Sequence, residues 1–258
     1  VRRSELLNIY ENGRLLPGSM LVVDVTGQDC EETGLVWGNG DPDFLLRPVP
    51  GTLVKAPWLG EGVAQVITSM YNLDDTPNDL DPRHVLQRVL DRFAEINLTP
   101  VVACEIEYYL VDPVRGPRGE LRLAPPPGKA NPPDLIDVFS LRDIQDYAPF
   151  FKELWRLADI QGIPLEAVIS EYAAGQVELT LHHGPDALRA ADEALMYKRL
   201  ARGLAATMGM EATFMAKPFT HSAGSSMHLH FSINDDAGEN IFASENPQGT
   251  LVMRHAIG

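Results

Sequence analysis

Apolar and polar positions alternate with two different periods along this chain. In the first stretch, Leu6, Leu7 and Tyr10 mark one side of a short helix over 3–12 that ends near Gly13. MLVVDV at 20–25 reads as a strand turned by Thr26-Gly27, and residues 51–56 and 63–70 read as two more. The run YNLDDTPNDLDPR, dense in Asp, Asn and Pro, marks a boundary around residues 72–81. Residues 1–80 are therefore expected to form a small mixed domain of short strands, and 81–258 a larger second one.

Beyond that boundary the period lengthens. Val85, Leu86, Val89, Leu90 and Phe93 recur at helical spacing, behind Asp81 as a cap and Pro82 in the first turn. LTPVVACEIEYYLVD at 98–112 predicts a strand, and the Pro- and Gly-rich residues after it predict a loop lying over the sheet. One amphipathic helix is expected over 143–160, presenting Tyr147, Phe150, Phe151, Leu154 and Leu157. Strands follow near 164–170 and 175–181. A longer helix then runs from Pro185 to about Met208 on Leu188, Ala191, Leu195, Leu200 and Leu204, and strands at 211–215 and 226–232 complete the pattern. No repeat, heptad or low-complexity tract interrupts it.

Three of these segments carry acidic or imidazole groups on one strand face. Successive side chains of a strand point to opposite faces, so Glu105 and Glu107 look one way and Cys104, Ile106 and Tyr108 the other. The same arithmetic separates Ser226, His228, His230 and Ser232 from Met227, Leu229 and Phe231, which are expected to face the core. Glu178 shares its face with Gln176 and Thr180, opposite Val177, Leu179 and Leu181, and Glu171 precedes it in the run SEYAAGQVEL.

The formal charge of -15 argues against a nucleic-acid binder working through a broad basic surface. The two cysteines, Cys30 and Cys104, suggest neither a disulfide framework nor a thiolate cluster, and no apolar stretch is long enough to span a membrane. A soluble cytoplasmic protein is the expectation. The chain opens at Val1 in what reads as a helix start and stops at Gly258 after the uncapped run LVMRHAIG, so it is read as a fragment.

Carboxylates and imidazoles without thiolates suit Mg²⁺ or Mn²⁺. Glu105, Glu107, Glu171, Glu178 and His228 offer ligands from separate elements, and several carboxylates converging without a cation would repel or protonate. Taken singly, each has a plain reading. Glu105 and Glu107 could be the solvated face of a strand, Glu171 a surface residue, His228 and His230 core-edge histidines, Lys217 a surface lysine and Asp24 a turn residue. Their conjunction is the specific signal.

These residues lie within runs that resemble the glutamine synthetase family, over essentially the whole chain, and most closely the branch of gamma-glutamylpolyamine and related gamma-glutamyl-amine synthetases. The runs are GDPDFLLRPVPGTL at 40–53, residues 81–112, SEYAAGQVELTL at 170–181, ATFMAKPF at 212–219 and KPFTHSAGSSMHLHFS from Lys217 to Ser232. The resemblance implies an α+β protein, with a small beta-grasp-like N-terminal domain and a guanido-kinase-like catalytic domain built on a curved antiparallel sheet. It implies transfer of the γ-phosphoryl group of ATP to the glutamate side chain, followed by attack of ammonia or a primary amine, a polyamine such as putrescine being favoured. By motif, Glu107, Glu171 and Glu178 resemble ligands of the glutamate-side metal, and Glu105 with His228 those of the nucleotide-side metal. Gly224 falls where glutamate is contacted. Lys217, His230 and Ser232 fall in the nucleotide signature, and Asp24 lies where the amine or ammonium is bound.

Ser226 departs from the family's pattern, which has Gly or Ala at that position. The resemblance also implies arginines for phosphate and glutamate, a flap glutamate and a further metal ligand beyond Gly258, and rings of subunits that share each active site between neighbours. This chain is accordingly expected to hold half a site and not to turn over by itself. A noncatalytic relative that binds nucleotide or assists regulation or assembly is the second reading. A zinc hydrolase built on His228 and His230 is a remote third, since it leaves the dispersed glutamates unexplained.

Overall fold

The computed structural model describes residues 3–34, 38 and 40–257. The chain divides into two compact units, Val1–Val54 with Ala64–Arg92, and Lys55–Val63 with Phe93–Gly258. In the first unit, α1 (Arg3–Asn12) ends at Gly13, whose φ of 71° a side chain would resist. β1 (Arg14–Pro17) pairs antiparallel with β2 (Asp43–Pro48), which also pairs with β5 (Thr68–Tyr71); β3 (Val54–Lys55) and β4 (Ala64–Gln65) form a short ribbon. The expected strand over 20–25 does not form. Gly18–Leu21 makes a single 3₁₀ turn, and Asp24 closes a tight turn in which Oδ1 accepts from the Thr26 N–H, the Thr26 hydroxyl and the Gln28 N–H. A side chain that satisfies its own backbone in this way competes with sheet pairing. Of the expected ladder only the bridge Val23 to Asp29 remains.

α2 (Pro82–Glu95) starts as the sequence predicts. Asp81 Oδ1 accepts from Arg83 N–H at 2.8 Å, and Oδ2 accepts from Met70 N–H at 2.6 Å, so one carboxylate caps the helix and ties its start to β5.

The second unit is built on an antiparallel sheet in the order β10, β6, β8, β7, with β6 spanning Thr99–Val111, β7 Leu165–Ser170, β8 Gln176–Leu181 and β10 Met227–Asn234; β9 (Glu211–Thr213) also pairs with β6. One face is the core. Cys104, Ile106, Tyr108 and Leu110 of β6 and Val177, Leu179 and Leu181 of β8 are all buried there. Each large side chain so covered is worth about 1.5–3 kcal/mol. The helices supply the facing layer, and Tyr197 of α5 (Ala187–Thr207) shares a buried hydrogen bond with Tyr108, oxygen to oxygen 3.0 Å.

Instead of one helix over 143–160 there are two, α3 (Leu141–Asp146) and α4 (Ala148–Gln161), joined at Tyr147. Pro149 is the reason. In a first turn its missing N–H costs nothing, whereas inside a continuous helix it would break a bond and clash. The anticipated apolar positions Tyr147, Phe150, Phe151, Leu154 and Leu157 are all buried. α5, capped by Asp186 accepting from Arg189 N–H at 2.9 Å, buries Leu200 and Leu204 as expected but otherwise presents a different stripe. Ala187, Ala190, Ala194, Tyr197, Ala201 and Ala205 face inward, while Ala191 and Leu195 are exposed. Small residues let helix and sheet approach closely, and leucine spacing alone does not reveal that.

The largest departure is on β10. Met227, Leu229 and Phe231 were expected in the core, yet they are 51%, 62% and 44% exposed. β10 lies at the end of the sheet with β6 as its strand neighbour; on its apolar side Ile233 is buried and Phe231 meets the Phe242 ring at 6.0 Å between centroids, while Met227 and Leu229 stay largely open. The last helix, α6 (Leu251–Ile257), occupies the LVMRHAIG run. No described helix is long and apolar enough to cross a membrane.

Candidate functional site

The second face of the sheet carries the chemistry. Register places His228 opposite Glu105 on β10 and β6, and Glu107 opposite Glu178 on β6 and β8. Alternation therefore brings all four onto one side, as the sequence predicted. One ligand atom each from Glu105, Glu178 and His228 lies within 4.8 Å of the others. Glu105 is the hub. Its Oε1 is 2.8 Å from His228 Nδ1, its Oε2 is 2.9 Å from His230 Nε2, and it also hydrogen-bonds Glu178.

The electrostatics show what this convergence costs. Burial raises Glu178, the hydrogen bond and charge of Glu105 and the charges of Glu171 and Glu107 add to it, and its carboxyl is pushed up to about 8. Burial works against ionised Glu105 too, but the hydrogen bonds from His230 and His228 outweigh it and hold that carboxyl below its ordinary value. One carboxyl keeps a proton while its neighbour stays ionised, the usual outcome when two acids share a desolvated site. No lysine or arginine pairs with Glu105, Glu107 or Glu178 among the described residues. The donor set, two carboxylates and an imidazole nitrogen holding a proton that a cation could replace, fits a divalent ion of the Mg²⁺ or Mn²⁺ kind.

Glu107 lies on the same face but turns elsewhere. Its Oε1 accepts from the Ser226 hydroxyl at 2.6 Å, and its Oε2 from Gln176 Nε2 at 3.1 Å and Ser226 N–H at 3.2 Å. Glu171 follows β7, where its backbone N–H bonds Gln176 O at 3.0 Å and its carboxylate accepts from Tyr172 N–H. It is outside the three-ligand group, although its charge reaches Glu178 and Tyr109.

The loop from Lys217 to Ser226 is fastened over this face by residues that the sequence reading did not single out as functional. Tyr109 and Val111 continue the Glu105 and Glu107 alternation, yet both are buried in a small cluster with Ala173, Leu121, Leu123, Phe219 and Ala223. Tyr109 donates its hydroxyl to Ala223 O at 2.6 Å. Gln176, 1% exposed, donates Nε2 to Gly224 O at 2.8 Å and is 3.2 Å from Ser225 Oγ. Alternation had placed Gln176 beside Glu178, which was the available signal. At Gly224 a Cβ would sit 2.7 Å from Ala216 O, so the loop closes on itself only where the side chain is absent. Lys217 bends back, donating Nζ to Ser222 O.

Ser232 lies on β10 opposite Val101, two residues beyond His230 on the same face. Asp24 belongs to the other compact unit, where Thr26 and the backbone of Gln28 hold its carboxylate below the usual value. That is the plain turn reading of Asp24.

The polar face of the antiparallel sheet thus gathers carboxylates and an imidazole, bordered by a pinned glycine-containing loop. The glutamine synthetase catalytic domain matches residues 79–258, and the chain belongs to that family. It is 35% identical to gamma-glutamylputrescine synthetase PuuA of Escherichia coli (strain K12) over 97% of its own length and 53% of that protein's. It is 34% identical to the glutamate–isopropylamine ligase of a Pseudomonas species over 89% and 49% of the two lengths. The chain thus spans about half the length of the curated relatives it matches. Among solved structures, a GmaS/ADP complex shares the fold with a TM-score of 0.79 at 23% identity, covering 99% of this chain and 54% of that one.

Proposed function

We propose that this chain carries the metal and nucleotide face of an ATP-dependent ligase that joins the γ-carboxylate of glutamate to ammonia or a primary amine through a γ-glutamyl phosphate. The observation that supports it most directly is the approach of Glu105, Glu178 and His228 to within 4.8 Å on a face where Glu178 retains its proton up to about 8. In this reading Glu105 and His228 hold the nucleotide-side cation, and Glu107, Glu171 and Glu178 the glutamate-side cation. A bound pair would neutralise the carboxylates and stabilise charge on the transferring phosphoryl group. Lys217, His230 and Ser232 border the nucleotide, and the Gly224 loop borders glutamate.

Activating glutamate as an acyl phosphate gives the amine a leaving group far better than hydroxide. The amine must arrive at the acyl carbon without its proton, and carboxylates nearby attract the cation first. The names of the two relatives, one acting on putrescine and one on isopropylamine, favour an organic amine, putrescine first. Asp24 as an amine ligand, a ring of subunits and a cytoplasmic setting belong to the same proposal.

The test is phosphate release from ATP and glutamate with Mg²⁺ across ammonia, putrescine, isopropylamine and ethanolamine, together with Mg²⁺-dependent ATP binding by this chain. Amine-dependent release by this chain or by its longest native reading frame supports the ligase. Metal-dependent binding with no release from either supports a nucleotide-binding partner instead. Absence of metal-dependent binding refutes both.

A further inference from the structure

Tyr109 and Gln176 stand opposite each other across β6 and β8. From that one level of the sheet they reach two consecutive carbonyls of the loop, the Tyr109 hydroxyl to Ala223 O at 2.6 Å and Gln176 Nε2 to Gly224 O at 2.8 Å. The two side chains differ in what else they hold. Tyr109 has a single O–H and gives it to the loop, whereas the Gln176 amide has two N–H groups. Nε2 also lies 3.1 Å from Glu107 Oε2 and 3.2 Å from Ser225 Oγ. One amide therefore touches the loop and a carboxylate of the acidic face at once.

The orientation of that amide follows from Gly224 O. A carbonyl oxygen only accepts, so the atom 2.8 Å from it is the nitrogen, and turning the amide over would set two acceptors against each other. Gln176 Oε1 is then left buried, with no protein partner among the described residues. An acceptor in that state destabilises the fold. At a position only 1% exposed, a side chain that served packing alone would be apolar, so packing does not account for the amide.

We propose that Gln176 is a positioning residue whose amide holds the Glu107 carboxylate and the Gly224–Ser225 turn as one piece, without adding to global stability. Displacing either one pulls on the other through hydrogen bonds from a single planar group. That Glu107 faces a cation and the loop faces glutamate rests on the function proposed above; the mechanical link between them does not. On that reading, seating the cation also seats the loop that borders glutamate.

The test uses the full chain with Gln176→Met, an unbranched apolar side chain of similar size that removes the donors and the orphaned acceptor together. Backbone hydrogen exchange reads the two ends separately. Ser225 N–H, held by Ala216 O at 2.9 Å, reports the loop, and Ser226 N–H, 3.2 Å from Glu107 Oε2, reports the carboxylate. Both should exchange about 10-fold faster in Gln176→Met, while the melting temperature and the exchange of the β6 and β8 amides stay those of the parent. Mn²⁺ affinity, read by calorimetry, should fall about 10-fold, the lower end for residues that orient metal ligands. Unchanged exchange at Ser225 and Ser226 overturns the inference. So does a lower melting temperature with faster exchange throughout β6 and β8, which would make Gln176 a packing residue. If Gln176→Met does not fold, NMR of the parent decides: slow exchange of the Gln176 side-chain N–H pair supports the link, and exchange at the rate of a free glutamine amide refutes it. If the parent binds no Mn²⁺, the metal reading fails, and backbone exchange alone decides whether the amide joins loop and carboxylate.

Discussion

Glu107 and Glu178 are directly paired across β6 and β8, two acids at one level of the sheet, yet neither bonds the other. Glu107 turns to Ser226 and Gln176, while Glu178 bonds Glu105. Like charges directly opposed across strands are unfavourable. The face resolves this by giving one acid neutral donors and letting the other keep a proton.

Stability without metal should depend on that proton. The folded value for Glu178, about 8, lies above its ordinary 4.5, so its stabilising contribution is complete below 4.5 and is lost as pH rises toward 8. Thermal melting in chelator should show the loss over this window. Glu178→Gln should flatten it and raise the metal-free melting temperature at its alkaline end by about 3 °C or more, from roughly 1 kcal/mol. A parent profile that rises across the same window would contradict the assignment.

Cation binding should rise with pH over the same range, because metal and proton compete for Glu178. The double variant Glu105→Gln, His228→Ala should weaken Mn²⁺-dependent ATP binding by at least about 10-fold, since both lose ligand atoms. Titration calorimetry checks it, and unaltered affinity would remove these residues from the site.

Gly224→Ala tests the closed loop. The added methyl would meet Ala216 O at 2.7 Å, so the backbone must shift at the point that Gln176 holds. Nucleotide or glutamate binding should weaken about 10-fold, from roughly 1.4 kcal/mol of displacement, while circular dichroism stays that of the parent.

Tyr109→Phe removes the hydroxyl bond to Ala223 O and leaves the buried ring in place. The loss is about 1 kcal/mol, roughly fivefold in affinity for ligands held by the loop. An equal loss of affinity and of global stability would mean that the tyrosine supports the unit as a whole and not the loop in particular.

Much of this site was legible because strand alternation is a local rule. It placed Glu105, Glu107, Glu178 and His228 on one face before any pairing was known, and register then made them neighbours. What local rules could not supply was context. Alternation also sent Met227, Leu229 and Phe231 to one side, but whether a layer covers that side depends on distant chain. Asp24 ended an apolar run that looked like a strand, and a side-chain turn won over the ladder. The roles of Gln176 and Tyr109 depend on a loop that starts some forty positions or more further along the chain, beyond the reach of any period.

β10 brings His228 to the site, and its position has a consequence for motion. A strand with one strand neighbour and with Met227, Leu229 and Phe231 largely exposed has fewer interactions to lose than an inner strand, so its amides from Met227 to Phe231 should exchange with solvent sooner than those of β6 or β8. A cation held between His228 and Glu105 would join β10 to β6 and add a crosslink at this weak margin. Losing the ion would then free the strand to fray as well as removing a reagent, and hydrogen exchange across Met227–Asn234 would record both together.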